Sequence, residues 1–164
     1  MSATIYYGKH FIDESDIEAV AEVLRSGLLT QGPKVKEFEN SLCNLLSSPF
    51  CTAVSNGTAA LHLLGLALGW KKESIVITSP ITFAASANCI LYSGAMPDFC
   101  DINEISYTID PDKLEHKIKN YRYAGKNVDA VVAVDYAGYP CDWKSLRYLA
   151  DKYSFKLIND NCHA

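Results

Sequence analysis

The run Val128-Asp129-Ala130-Val131-Val132-Ala133-Val134 constrains this chain most. After Asp129 it has no polar side chain at either alternating position. A strand with one wet face would alternate, so this run suits a strand buried on both faces, as in a parallel sheet. The surrounding segments alternate in kind. Residues 51–54 (Cys-Thr-Ala-Val) read as a strand, 59–68 as a helix ended by Gly69, and 74–78 as a second strand. After Pro80 a helix runs through Phe83 to Tyr92 and stops at Gly94, and 96–100 is a third strand. Residues 107–109 form a short extended piece. Asp110-Pro111 opens a helix carrying Leu114 and Ile118, in the cap-then-proline order of a helix start. Loop 135–140, a helix over 142–153 and a strand over 155–159 complete the order. Alternation of this kind predicts an α/β fold, its largely parallel sheet sandwiched by helices.

Ahead of the alternating part, residues 1–12 read as an N-terminal arm rich in aromatic side chains, with Tyr6, Tyr7, His10 and Phe11. Asp13 can cap a helix over 14–26, where Ile17, Val20, Ala21, Val23 and Leu24 keep a 3.6-residue spacing. Pro33 suits the first turn of a second helix, which carries Val35, Phe38, Leu42, Leu45 and Leu46 and breaks at Ser48-Pro49. At 164 residues, 49% hydrophobic and 21% charged, the length prior is one globular domain. A net charge of −4 without a basic block speaks against nucleic acid. No apolar run is long enough to span a membrane, and the first residues lack the apolar core of a signal peptide. Six scattered cysteines with no CxxC pair read as free thiols in a cytoplasmic protein rather than disulfides or a zinc site.

In open parallel sheets, ligands bind beyond the carboxyl ends of the strands. Three groups fall there: the turn Ser55-Asn56-Gly57-Thr58-Ala59, the segment from Pro80 to Phe83, and Asp160-Asn161-Cys162-His163. The first joins a strand to a helix through small residues. The unpaired N–H groups of a first helical turn favour an anion, so a phosphate is one reading of Gly57, Thr58 and Ala59. A capped helix is the other, with Ser55, Asn56 or Thr58 as the cap. The turn is neither GxxxxGK[ST] nor GxGxxG, so no P-loop or dinucleotide fingerprint is present. Asp160 alone reads as a turn or cap residue, Phe83 as core, Tyr7 and Tyr136 as packing, and His62 as structural. His163 can share a side with Asp160 if a turn begins there, yet no Ser or Cys elbow makes the pair a nucleophilic triad.

Taken together and in order, the motifs resemble the sugar aminotransferases of the DegT/DnrJ/EryC1/StrS family. The matching stretches are Leu29-Thr30-Gln31-Gly32-Pro33, Ser55-Asn56-Gly57-Thr58-Ala59-Ala60-Leu61, and Ser79-Pro80-Ile81-Thr82-Phe83-Ala84-Ala85-Ser86-Ala87-Asn88. Gly94-Ala95-Met96-Pro97, Val134-Asp135-Tyr136-Ala137-Gly138 and Asp160-Asn161-Cys162-His163-Ala164 follow. The Tyr7-Gly8 start, the Pro80–Phe83 segment and the loop after Val134 look most like the subgroup acting on the route to pseudaminic acid.

The resemblance implies the large domain of the pyridoxal-phosphate-dependent transferase fold (aspartate aminotransferase, fold type I), with residues 13–164 as its N-terminal part. It implies a nucleotide-sugar substrate, an amino donor (glutamate) and a homodimer. Gly57, Thr58 and Ala59 match the family's phosphate cradle and Phe83 an aromatic residue stacked on the cofactor ring. Asp160 matches the carboxylate paired with the pyridinium nitrogen, His163 a position beside the cofactor, and Tyr7 an N-terminal tyrosine near the sugar. In the family the Schiff-base lysine lies downstream of the Asp-x-x-His segment, where this chain has already ended. The 164 residues by themselves are therefore expected to be inactive, either as part of a longer transaminase or as a non-catalytic chain. A relative that uses the cofactor for sugar dehydration stays open as an alternative.

Overall fold

A computed structural model describes residues 8–164, and these divide into two compact units, the first ending at Ala53 and the second running Val54–Ala164. The first unit holds two helices. Helix α1 (Glu14–Arg25) begins where Asp13 accepts the N–H groups of Ser15 and Asp16 at 2.9 and 3.3 Å. The Asp16 carboxylate accepts the Asp13 N–H in return at 3.0 Å, so two orphan donors are satisfied reciprocally. Helix α2 (Pro33–Leu46) begins with its proline in the first turn and ends at Ser47 in the left-handed region, φ 50°. Neither helix buries a residue.

The second unit is the α/β body. Helix α3 (Gly57–Ala67) precedes strand β1 (Ile75–Thr78). Helix α4 (Ala85–Tyr92), β2 (Met96–Phe99), α5 (Pro111–Tyr123), β3 (Ala130–Val134), α6 (Trp143–Tyr153) and β4 (Lys156–Asp160) follow. The four strands are parallel, in the order β2-β1-β3-β4. Residues 51–54 form no strand, contrary to expectation. The segment pairs with none of the four strands, and an apolar run without a ladder partner is left as coil. Two further boundaries move. Helix α4 begins at Ala85, leaving Phe83 in the loop before it, and β4 extends through Asp160. The extended piece at 107–109 contributes only an antiparallel bridge, Ile102 to Ile109.

Strand β3 shows why its sequence lacks alternation. Val131 and Ala133 pack with Leu114 and Ile118 of α5 and Leu146 and Leu149 of α6. Ala130 and Val132 point the other way, into a cluster with Leu61 of α3 and Ala85, Cys89 and Ile90 of α4. All five residues of the strand are buried. Each face removes apolar surface from water, at about 1.5–3 kcal/mol per fully buried Val, Leu or Ile. The body is thus three layers, α5 and α6 below the sheet and α3 and α4 above it. Cys89, Cys100 and Cys141 are buried in these layers, and all six cysteines are free thiols. His62 contacts the Tyr92 ring edge-on at 5.6 Å, in keeping with a structural role. No helix of the described residues is long and apolar enough to cross a membrane.

Candidate active site

The order β2-β1-β3-β4 reverses direction between β1 and β3. From β1 the chain leaves to α4 on one face, and from β3 to α6 on the other. The two connections part, and a crevice opens over the carboxyl ends of the strands. A cleft of about 270 Å³ lies there. Its walls come from Gly57 and Thr58 at the start of α3 and from Thr82 and Phe83 after β1. Val134 and Tyr136 at the end of β3, and Asp160, Cys162 and His163 at the end of β4, close it.

The α3 wall is a helix N-terminus with two donors to spare. Asn56 proves to be the cap: its side-chain oxygen accepts the Ala59 N–H at 2.9 Å and its carbonyl the Ala60 N–H at 3.1 Å. The N–H groups of Gly57 and Thr58 have no such partner in the helix, and these two residues, unlike Ala59, line the cleft. The cap thus falls on Asn56, and the two donors without a partner in the helix stand on the residues beside it. At Gly57 the close neighbour is a side chain. A Cβ there would collide with the Cys162 thiol. On the far side, Gly138 sits at φ 83°, and a Cβ would lie 2.9 Å from the His163 carbonyl oxygen. Gly138 lets the segment after β4 fold back over the strand ends.

Asp160 is the most constrained group in the cleft. Its side chain is buried, 6% exposed, on the last residue of β4. Ser86 of α4 donates its hydroxyl to Asp160 Oδ2 at 2.6 Å. The Cys162 N–H reaches Oδ1 at 3.4 Å. The Asp160 carbonyl accepts the Asp135 N–H at 3.2 Å, which ties β4 to β3 at their ends. A hydrogen bond to Asp160, then burial, pushes the Cys162 thiol up to about 11. Burial, with the Asp160 charge second, pushes Cys89 to about 11 as well. Both thiols stay protonated near neutrality, so neither is an activated nucleophile.

Phe83 is 72% exposed. A ring so exposed beside a cleft is not a core residue; it offers a flat apolar face to whatever enters. Of the residues singled out from the sequence, Gly57, Thr58, Phe83, Asp160 and His163 share this cleft. Ala59 serves the cap instead, and Tyr7 lies outside the described residues. Ser86, Thr82 and Cys162 went unassigned. Their signal was faint: Thr82 and Ser86 stand one helical turn apart in an otherwise apolar stretch, pointing a polar pair at the carboxylate.

A buried carboxylate, a helix N-terminus with free donors and an exposed aromatic ring together suit a flat, anionic heteroaromatic molecule. The carboxylate would face a protonated ring nitrogen and the helix a phosphate. Pyridoxal phosphate has this make-up. Among the described residues no cluster of His, Cys, Asp or Glu could hold a metal ion.

Residues 10–164 match the model of the DegT/DnrJ/EryC1/StrS aminotransferase family. A UDP-4-amino-4,6-dideoxy-N-acetyl-β-L-altrosamine transaminase of Campylobacter jejuni is 40% identical over 161 residues, which cover 98% of this chain and 41% of that protein. Among solved structures, Helicobacter pylori PseC, an aminotransferase of pseudaminic acid biosynthesis, superposes with a TM-score of 0.85 at 34% identity. It covers 97% of this chain and 42% of PseC. The sugar aminotransferase Spr1654 of Streptococcus pneumoniae in its PMP form has a TM-score of 0.85 at 29% identity, covering 99% of this chain and 43% of that one. Spr1654 has also been solved in a PLP form, in line with the expected cofactor. The chain spans about two fifths of the length of the relatives it matches.

Proposed function

The chain belongs to the DegT/DnrJ/EryC1/StrS aminotransferase family, and from that premise we propose a pyridoxal-phosphate-dependent nucleotide-sugar aminotransferase. Its reaction transfers the amino group of glutamate to the 4-keto carbon of a UDP-linked 6-deoxy-N-acetylhexosamine, on the route to pseudaminic acid or a surface polysaccharide. The Campylobacter and Helicobacter relatives support this substrate class. The observation that carries the reading is the buried Asp160 carboxylate, set in the same cleft as the free N–H groups of α3.

In that reading Gly57 and Thr58 hold the cofactor phosphate with backbone N–H groups, and the helix dipole adds to the attraction. Asp160 holds the proton on the ring nitrogen, because an anion in a poorly hydrated pocket strongly favours the charged ring. Phe83 covers a face of the ring and excludes water. His163 borders the cofactor, and Tyr7 is assigned to the sugar. Bound there, pyridoxal phosphate supplies the electron sink for the carbanion that transamination requires. Residues 13–164 supply the N-terminal part of the cofactor-binding domain, and the lysine that completes the family's site follows the Asp-x-x-His segment. The enzyme works as a homodimer in the cytoplasm, a compartment consistent with six free thiols.

The test is Asp160→Asn in the complete enzyme. The variant keeps its fold by circular dichroism and loses at least ~100-fold in glutamate-dependent amino transfer, since one well-placed charge opposite a reacting system is worth several kcal/mol. Near-normal turnover would overturn the assignment. Mass spectrometry of the product separates the chemistries: an amino sugar supports transamination, and a deoxygenated keto sugar would point to dehydration.

A further inference from the structure

Asp160 is held by a chain of hydroxyls that no resemblance assigns. Ser86 is fully buried, and its oxygen lies 2.6 Å from Asp160 Oδ2, 2.7 Å from Thr82 Oγ1 and 3.3 Å from the Phe83 carbonyl. Ser86 has one proton to give. An ionised carboxylate is the strongest of these acceptors, so the proton goes to Asp160. The Ser86 oxygen is then left as an acceptor, and Thr82 must donate to it. The direction of the whole relay follows: Thr82 O–H to Ser86 Oγ, Ser86 O–H to Asp160 Oδ2. Each bond polarises the next.

We infer that Ser86, supported by Thr82, is the positioning residue of the cofactor site. It saturates Oδ2 and fixes the carboxylate's rotation. Oδ1, which receives the Cys162 N–H over a long 3.4 Å, is the oxygen with capacity for a ring nitrogen. The placement also links two cleft walls. Thr82 and Phe83 come from the loop after β1, Ser86 from the first turn of α4 and Asp160 from β4. The relay therefore ties the carboxylate to the loop that carries the exposed Phe83 ring. This inference rests on the assignment of Asp160 to the ring nitrogen.

The experiment uses the complete enzyme and a double-mutant cycle of Ser86→Ala and Asp160→Asn. Two readouts serve, kcat for amino transfer and the dissociation constant of pyridoxamine phosphate by fluorescence quenching. Ser86→Ala alone is expected to lower kcat about tenfold, to weaken pyridoxamine phosphate about fivefold, and to leave the KM for glutamate within twofold. Added to Asp160→Asn, it is expected to cause no further loss in either quantity, because its effect runs through the carboxylate. Losses that multiply fully would overturn the inference and make Ser86 a packing residue. If Asp160→Asn itself left both quantities unchanged, the assignment of Asp160 would be what fails. Thr82→Val keeps the question open to test should Ser86→Ala not fold. It removes only the outer donor and is expected to lower pyridoxamine phosphate affinity two- to threefold. An unchanged affinity in that variant would count against the relay.

Discussion

The two compact units make a useful contrast. In the first, α1 and α2 have clear helical patterns, with Ile17, Val20 and Leu24 on one side of α1 and Val35 and Phe38 along α2. None of these side chains is buried; Ile17, Val20 and Leu24 are 52–66% exposed. In the second unit, α5 has a more polar composition, yet Leu114 and Ile118 are fully enclosed under the sheet. Caps and periodicity are local and suffice to start and stop a helix. Burial needs another element across from the apolar side, and in the second unit the sheet provides it.

That contrast can be broken by substitution. Leu114→Ala is expected to have the largest effect, about 2–5 kcal/mol of stability lost from the second unit, since it empties a site walled by α6 and β3. Urea unfolding measures it, and a change below about 1 kcal/mol would mean that the α5 face is not the core it resembles. Gly57→Val comes next. The added side chain would meet the Cys162 thiol, which must turn aside, and would crowd the start of α3 where it lines the cleft. About tenfold weaker binding of pyridoxal phosphate is expected, roughly 1.4 kcal/mol, with unfolding little changed. Equal affinity would make the turn structural only. Asp13→Ala has the smallest effect, about 1 kcal/mol, because it removes a capping box from a helix that rests on local terms. Hydrogen exchange at 14–25 would report it, and unchanged protection there would show that something beyond the cap holds α1.

Local signals were legible wherever a few neighbouring residues determine the outcome. Asp13 and Asp110 cap the helices they precede, and Pro33 and Pro111 stand in first turns. The strand at 51–54 was misread because an apolar run shows what a segment can bury but not which strand, if any, it will pair with. Phe83 was misread by composition alone, since aromatic rings are mostly core and this one is 72% exposed. Asn56 resolved an open choice among three caps, which turned on the extended backbone preceding α3.

By itself the sequence determined the α/β class, the buried character of β3, the helix boundaries to within a few residues and the family. It also placed Gly57, Thr58, Asp160 and His163 at connections where a sheet of this kind binds ligands. All of these follow from composition, period and ordered short motifs, which are read along the chain. Only the tertiary structure decided the order β2-β1-β3-β4, and with it the point where the crevice opens. It alone brought Ser86 to Asp160 across 74 positions of sequence. A hydrogen bond between residues that far apart exists only when separate elements pack, and no local pattern records which polar side chain will meet which.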